Sequence, residues 1–200
     1  MSRWEPGGEE RLRAAAIELF LEFGYENVTV AQIADRAGLT RRTFSRYFAD
    51  KRDVLFAGSE RLPDALAEAL RRMDPSVAPY PAMLQALVDV GGVLGERVAE
   101  HAAERREIIA GSPELQERGQ AKFAAAAAAL ATALRERGAE PSAAQLFADV
   151  GIAIFRRGFE QWTENGREAD LASCIRDAAG QLAEAAAGAA YPPSAASSPA

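Results

Sequence analysis

The sequence predicts an all-α protein of about nine helices, with an N-terminal helix-turn-helix three-helix domain joined to a larger helical body. Three observations predict it. Apolar residues recur at spacings of three and four through most of the chain, as they do on one face of an α-helix. No stretch alternates apolar and polar residues as a half-buried strand does. Glycines and prolines stand where helices would stop and start.

The first helix is expected from about Glu9 to Phe23, with Leu12, Ala16, Leu19, Phe20 and Phe23 on one face and Gly24 as its stop. Thr29 then reads as an N-cap, and Gln32 three residues on completes a capping-box pattern that opens a helix ending at Ala37. Gly38 breaks that helix, and Thr40 caps the next one, roughly Arg41 to Phe48. Asp50, with Asp53 at the third helical position, caps a fourth helix through VLFAGSERLPDALAEALRRM, which Pro63 kinks or splits. DPSVAPYP ends it.

Five more helices follow, at about 82–101, 102–110, 113–137, 142–165 and 168–187, with Gly138 and Gly166 as stops and Pro113 and Pro141 in first-turn positions. The run Ala124 to Ala129 suits a helix that neighbours approach closely. Residues 1–8 and the tail AAYPPSAASSPA, residues 189–200, are too poor in buriable surface to order and are expected to be disordered. The domains expected are therefore 9–55, the helix-turn-helix unit, and 56–188, the body.

Charge divides the molecule in the same place. The chain has 200 residues, 48% hydrophobic, with 23 basic and 29 acidic side chains and a formal charge of −6. Residues 36–52 hold Arg36, Arg41, Arg42, Arg46, Lys51 and Arg52 against Asp50 alone, whereas residues 54–200 hold 14 basic and 20 acidic residues. Affinity for a polyanion must come from that local patch. Cys174 is the one cysteine and His101 the one histidine, which leaves no disulfide framework and no His/Cys metal cluster. The start MSRWEPGGEERLR has no apolar leader core, and no apolar run nears the roughly 20 residues that cross a bilayer. A cytoplasmic protein without a membrane partner is expected.

Two short helices joined by a turn at Gly38 form a helix-turn-helix pattern. Ala34 is small where the helices cross, and Ile33, Leu39 and Phe44 are spaced to fix one helix on the other. With Phe44 and Phe48 inward, Arg41, Arg42, Ser45 and Arg46 project outward, with Thr43 and Tyr47 at the margins. A protruding basic helix of this kind suits the major groove of B-DNA, which is about 12 Å wide. Thr29, Thr40 and Lys51 complete the set of candidate DNA-binding residues.

The stretch TVAQIADRAGLTRRTFSRYFADKRDVLF, residues 29–56, resembles the TetR family of bacterial one-component repressors, and the exit LFLEFGYENVTV extends the likeness to about 50 residues. The family pattern is T-x-x-x-I-A-x-x-A-G-V-S-x-G-T-L-Y-x-H-F-x-x-K-x-x-L, matched here by Thr29, Ile33, Ala34, Ala37, Gly38, Thr43, Phe48, Lys51 and Leu55. Arg42 stands where the family has glycine, Ser45 where it has a phosphate-touching tyrosine, and Tyr47 where it has histidine. The resemblance implies a homodimer on a pseudo-palindromic double-stranded operator, released by a small-molecule effector. It also implies a body whose last two helices form a four-helix bundle with a partner. ERREIIAGSPELQERGQAKF, LRERGAEPSAAQLFADV and FEQWTENG resemble a subgroup thought to take acyl-CoA-like ligands.

On that basis the dimer interface is expected at Leu146, Val150, Ile154, Leu171, Ile175, Ala178 and Leu182, apolar faces rich in small residues. The effector is expected between a Met83, Leu87, Val90, Leu94 stripe and a Phe155, Phe159, Trp162 stripe, with Arg105 and Phe123 beside it. Both stripes suit an ordinary core equally well. No cofactor is called for, and the chain is not expected to be an enzyme. Two rivals stay open: a DNA-binding protein with no small effector, which a filled body would favour, and an all-α enzyme acting on a CoA ester, for which no nucleophile-base pair is visible.

Overall fold

A computed structural model describes residues 7–165 and 169–188. Among these residues there are ten α-helices, one 3₁₀ turn and no strand. The helices are α1 (Gly8–Phe23), α2 (Val30–Arg36), α3 (Arg41–Tyr47), α4 (Asp53–Phe56) and α5 (Leu62–Arg72), with the 3₁₀ turn at Tyr25–Asn27. They continue as α6 (Pro79–Val98), α7 (Ala102–Ala110), α8 (Pro113–Glu136), α9 (Pro141–Glu164) and α10 (Leu171–Gly188). The disorder expected of residues 1–6 and 189–200 lies outside the described residues, while Gly8 already belongs to α1.

The N-terminal unit forms as its sequence dictates. Thr29 and Gln32 make the reciprocal capping box that opens α2, and the Thr40 hydroxyl accepts the Thr43 amide at 3.1 Å to open α3. Between them Gly38 sits at φ +66°, a left-handed conformation that L side chains rarely adopt. Its amide and that of Leu39 bond back to Asp35 and Ala34, which sets the turn. Leu12, Phe20, Ile33, Phe44, Phe48 and Val54 close a small core, roofed by Ile108 and Leu115 from α7 and α8.

The expected fourth helix is two helices. Asp50 Oδ1 accepts the amides of Arg52 and Asp53, and Asp53 Oδ2 accepts that of Ala49, but these bonds close the turn before the helix: α4 starts at Asp53, with Arg52 rather than Asp50 in the capping position. After Phe56 the chain turns through Gly58 at φ +85°, with the Ser59 hydroxyl donating to the Phe56 carbonyl at 2.8 Å. Pro63, in the first turn of α5, then starts a new helix where its missing N–H costs nothing.

In the body α5, α6, α8, α9 and α10 enclose a second core. Glycines let helices cross closely. A methyl group on Gly158 would lie 2.8 Å from the Ile175 backbone, and one on Gly151 2.8 Å from Met83 Sδ. The alanine run splits by face, Ala126 and Ala127 buried and Ala124, Ala125 and Ala128 exposed. Arg137 ties down the α5–α6 connection by donating to the carbonyls of Met73, Asp74 and Val77 at 2.9, 2.8 and 3.0 Å.

Candidate nucleic-acid interface and ligand cavity

Helix α3 buries Phe44 and turns Arg41, Arg42, Ser45 and Arg46 outward, all exposed, with Thr43 and Tyr47 half-buried. Arg46 stacks on the Tyr47 ring, its guanidinium carbon 4.8 Å from the centroid, and donates to the Tyr47 hydroxyl at 3.1 Å. The three guanidiniums of Arg41, Arg42 and Arg46 make no ion pair with an acid among the described residues.

The other basic residues of the patch are engaged inside the chain. Arg36 bridges Glu18 and Glu22 of α1 at 3.2 and 3.3 Å. Arg52 pairs with Asp50 and reaches Glu114 of α8 at 2.8 Å. Lys51 lies over the Tyr25 ring, Nζ 4.2 Å from the centroid, and donates to the carbonyls of Tyr25, Val28 and Glu26 at 2.7, 3.0 and 3.4 Å. Its ammonium thus closes the exposed end of the 3₁₀ turn. The outward charge of the patch is the arginines of α3.

Helix α8 joins this unit to the body. Arg118 pairs with Asp53 at the start of α4 and stacks on the Phe56 ring at 5.4 Å, while Glu114 takes Arg52. Burial, then the Glu114 carboxylate, pushes the Tyr25 phenol up to about 12. Burial works to raise the Asp50 carboxyl, but hydrogen bonds from Arg52 and from the amides of Asp53 and Arg52 outweigh it and hold it below the usual carboxylate range.

Beside that joint lies a cavity of about 400 Å³. Leu55 and Phe56 of α4, Val98 of α6, Arg105 and Ile109 of α7, Lys122 and Phe123 of α8 and Phe159 of α9 line it. Arg105 is 5% exposed and donates to the Val98 carbonyl; burial, then the nearby Arg13 charge, brings its guanidinium down to about 10. Lys122 Nζ lies 3.2 Å from Ser59 Oγ, 4.9 Å from the Phe123 centroid and 5.5 Å from that of Phe56. Burial, then Arg105, brings its amine down to about 8.

The expected pocket residues divide. Arg105, Phe123 and Phe159 line this cavity, whereas Met83, Leu87 and Phe155 are sealed in the body core. Val90 and Leu94 border a separate depression of about 370 Å³ between α5 and α6, and Trp162 borders a third between α6 and the start of α10. The two stripes therefore pack into one core, and the hollow lies at the joint with the N-terminal unit. Lys122, Ser59, Phe56 and Arg156 are wall residues the sequence reading missed. One signal was available: Lys122 is one of only two lysines among the 23 basic residues.

Of the expected interface residues, Leu146 and Leu182 are exposed, at 60% and 42%, and Val150 is half-buried. Ile154, Leu171, Ile175 and Ala178 are buried within the chain itself, between α6, α9 and α10. Cys174 is buried, and no helix among the described residues is long and apolar enough to cross a membrane.

Residues 12–57 match the profile of bacterial regulatory proteins of the tetR family, and residues 77–187 match the MftR C-terminal domain. The HTH-type transcriptional regulator EthR of Mycolicibacterium smegmatis is 33% identical over 146 residues, 68% of this chain and 66% of EthR. The chain spans between 33% and 66% of the length of the curated relatives it matches. Among solved structures, the complex of SmeT with triclosan is 24% identical at a TM-score of 0.59, covering 90% of this chain and 91% of that one. SmeT is the repressor of a Stenotrophomonas maltophilia multidrug efflux pump. FadR of Bacillus subtilis in complex with stearoyl-CoA is 18% identical at a TM-score of 0.57, covering 86% and 96%. These structural likenesses speak for the fold. Because the C-terminal match alone spans more than half of the chain, with the N-terminal match adjoining it, the chain belongs to the tetR family of bacterial regulatory proteins.

Proposed function

We propose that the chain is a homodimeric, DNA-binding transcriptional repressor, released from its operator when an apolar or acyl-type ligand fills the cavity beside α4. The observation that carries this reading is the outward face of α3, where Arg41, Arg42 and Arg46 stand exposed on a molecule whose net charge is −6. Charge placed so locally serves contact with a polyanion, and α3 is presented as a helix that enters the major groove. Arg42 reaches toward guanine O6 and N7, and Arg41 and Arg46 toward base edges or phosphates.

The cavity supports the ligand half of the reading, since a filled body would have favoured a regulator without an effector. Its volume of about 400 Å³ is that of a small-molecule site. Its apolar walls receive a hydrocarbon body, and Arg105, Arg106, Arg156 and Lys122 favour an oxygen-bearing or anionic head. Leu55 and Phe56 belong both to its wall and to α4, so a ligand touches the element that follows the DNA-facing helix. A ligand shifts the equilibrium only by preferring one arrangement of the two units.

The test is a binding titration on duplexes selected from random sequence, with and without decanoate or a long-chain acyl-CoA ester. Selection should return a pseudo-palindrome, and log K should fall with log[salt] by about 0.9 for each phosphate neutralised. Arg42→Ala should relax the preference at one base pair per half-site, worth about 1–3 kcal/mol. The ligand should weaken operator binding about 5- to 150-fold. Selection without a consensus would sink the DNA-binding reading, and a ligand-indifferent operator affinity would sink the effector reading alone.

A further inference from the structure

We propose that the cavity is a site of reversible covalent capture, in which the Lys122 amine condenses with an aldehyde bearing an apolar tail. The inference rests on the reading of the cavity as the effector site and names the ligand chemistry that site would select.

The first observation is which cation the chain places there. Arginine serves at every basic position but two. Lys51 is one exception, its ammonium held by three backbone carbonyls. Lys122 is the other, and it stands in the wall of the apolar-lined cavity beside α4. A guanidinium stays protonated wherever it is placed, whereas an amine gives up its proton when desolvated and so becomes a nucleophile.

The second observation is the surroundings of that amine. Lys122 Nζ has aromatic rings on two sides, Phe123 at 4.9 Å and Phe56 at 5.5 Å, and makes no ion pair among the described residues. Its hydrogen-bond partner is Ser59 Oγ at 3.2 Å. The Ser59 hydroxyl proton is directed to the Phe56 carbonyl at 2.8 Å, so the oxygen offers the amine a lone pair and leaves the nitrogen free to react on its other side.

The third observation is electrostatic. Burial is the largest influence on the amine and Arg105 the next, both favouring the neutral form, while Glu60 opposes them; the result is about 8. The other charged groups that face it are Arg118 on its own helix, Arg106 on α7, and Arg156 and Glu160 on α9. Hydrophobic burial beside a second cation is the arrangement that activates lysines toward carbonyl compounds.

The step balances without any oxidant or reductant. The nitrogen lone pair forms a bond to the aldehyde carbon, the carbonyl π pair moves to oxygen, and that oxygen takes a proton from the nitrogen to give a carbinolamine. Loss of the second amine proton and of the hydroxyl as water leaves an imine, and water added back reverses the sequence. The tail lies along Leu55, Val98 and Ile109. Imine formation removes the N–H that ties Lys122 to Ser59, at the junction of α4 and α5.

The test uses the full chain with decanal, trapping any imine by cyanoborohydride and mapping the decyl group by peptide mass spectrometry. Lys51 serves as the internal comparator. Each unit by which an amine's pKa falls raises its neutral fraction tenfold, so Lys122 should carry at least about ten times the label of Lys51. Lys122→Arg, which keeps the charge and loses the nucleophile, should abolish the cavity adduct while keeping the helical spectrum of the unaltered chain and its labelling at Lys51. Equal labelling of the two lysines, or decanal binding with no reduced adduct on Lys122, overturns the proposal. Decanal-driven release of DNA with no reduced adduct on Lys122 leaves the effector reading standing and sinks only the covalent step. An adduct that forms without altering operator affinity upholds capture and removes the effector reading.

Discussion

Lys51 illustrates how a residue's partners decide its role at the smallest scale. An ammonium has three donors, and here the carbonyls of Tyr25, Glu26 and Val28 take all of them, with the Tyr25 ring beneath. These carbonyls end the 3₁₀ turn between α1 and α2, where the Val28 amide also reaches the Tyr25 carbonyl, at a long 3.4 Å. Removing the amine leaves them short of partners, so Lys51→Ala should destabilise the N-terminal unit by about 1–3 kcal/mol. Its effect on the salt dependence of DNA binding should be small, because the charge is already directed inward. Arg41→Ala makes the contrast: no fall in melting temperature, and a log K–log[salt] slope flatter by about 2 across two copies. Thermal melts and salt titrations of the two variants check the pair. A flattened slope with an unchanged melt for Lys51→Ala would return that residue to the phosphate contacts.

At the scale of elements, α8 is the strut between the cavity and the helix-turn-helix unit. One face of it gives Lys122 and Phe123 to the cavity wall, and one turn earlier Arg118 holds Asp53 and covers Phe56. Under the proposed effector reading, a shift of α8 on ligand entry would pull on α4. Arg118→Gln should leave ligand-free operator affinity within about two-fold while lowering the ligand's effect by about 0.5–2 kcal/mol. Operator titrations with and without ligand check this, and an undiminished ligand effect would rule the Asp53 pairing out of the linkage. The neighbouring Asp50 carboxyl is held low, so its bonds persist at neutral pH and are lost only as pH falls through and below the ordinary carboxylate range. The helix-turn-helix elements were legible in sequence because their signals are local: a capping box at Thr29 and Gln32, a left-handed glycine at 38, a cap at Thr40. The split between α4 and α5 was half legible, since Pro63 marked it but helical spacing runs on across residues 57–61. The cavity was not legible, because its wall joins residues as far apart in sequence as Leu55, Arg105, Lys122 and Phe159. For the same reason Arg36 looked like a free cation, its acids lying 14 and 18 residues away, and the second acid of Arg52, Glu114, lies 62 residues beyond it.

For the whole molecule the proposed homodimer raises the question of which surface a second copy would cover. Ile154, Leu171, Ile175 and Ala178 already pack inside the chain. What α9 and α10 leave outside is Leu146 at 60% exposure, Leu182 at 42%, part of Val150, and an α10 end exposed from Gly180 to Gly188. An alanine-rich helix end with exposed leucine gains little from water and permits close approach of another helix. Two-fold pairing there makes each residue meet its own face on the partner. A dimer that reads successive major grooves needs its two α3 helices about 34 Å apart. Leu146→Glu with Leu182→Glu changes nothing in the core, so each subunit should fold with an unaltered helical spectrum. The pair should nevertheless sediment as a monomer at concentrations where the unaltered chain is a dimer. Operator binding should then become weak and non-cooperative while half-site binding through α3 persists, because each monomer retains its arginines. A double variant that remains dimeric would move the interface to another face and leave the DNA-facing helix as it stands.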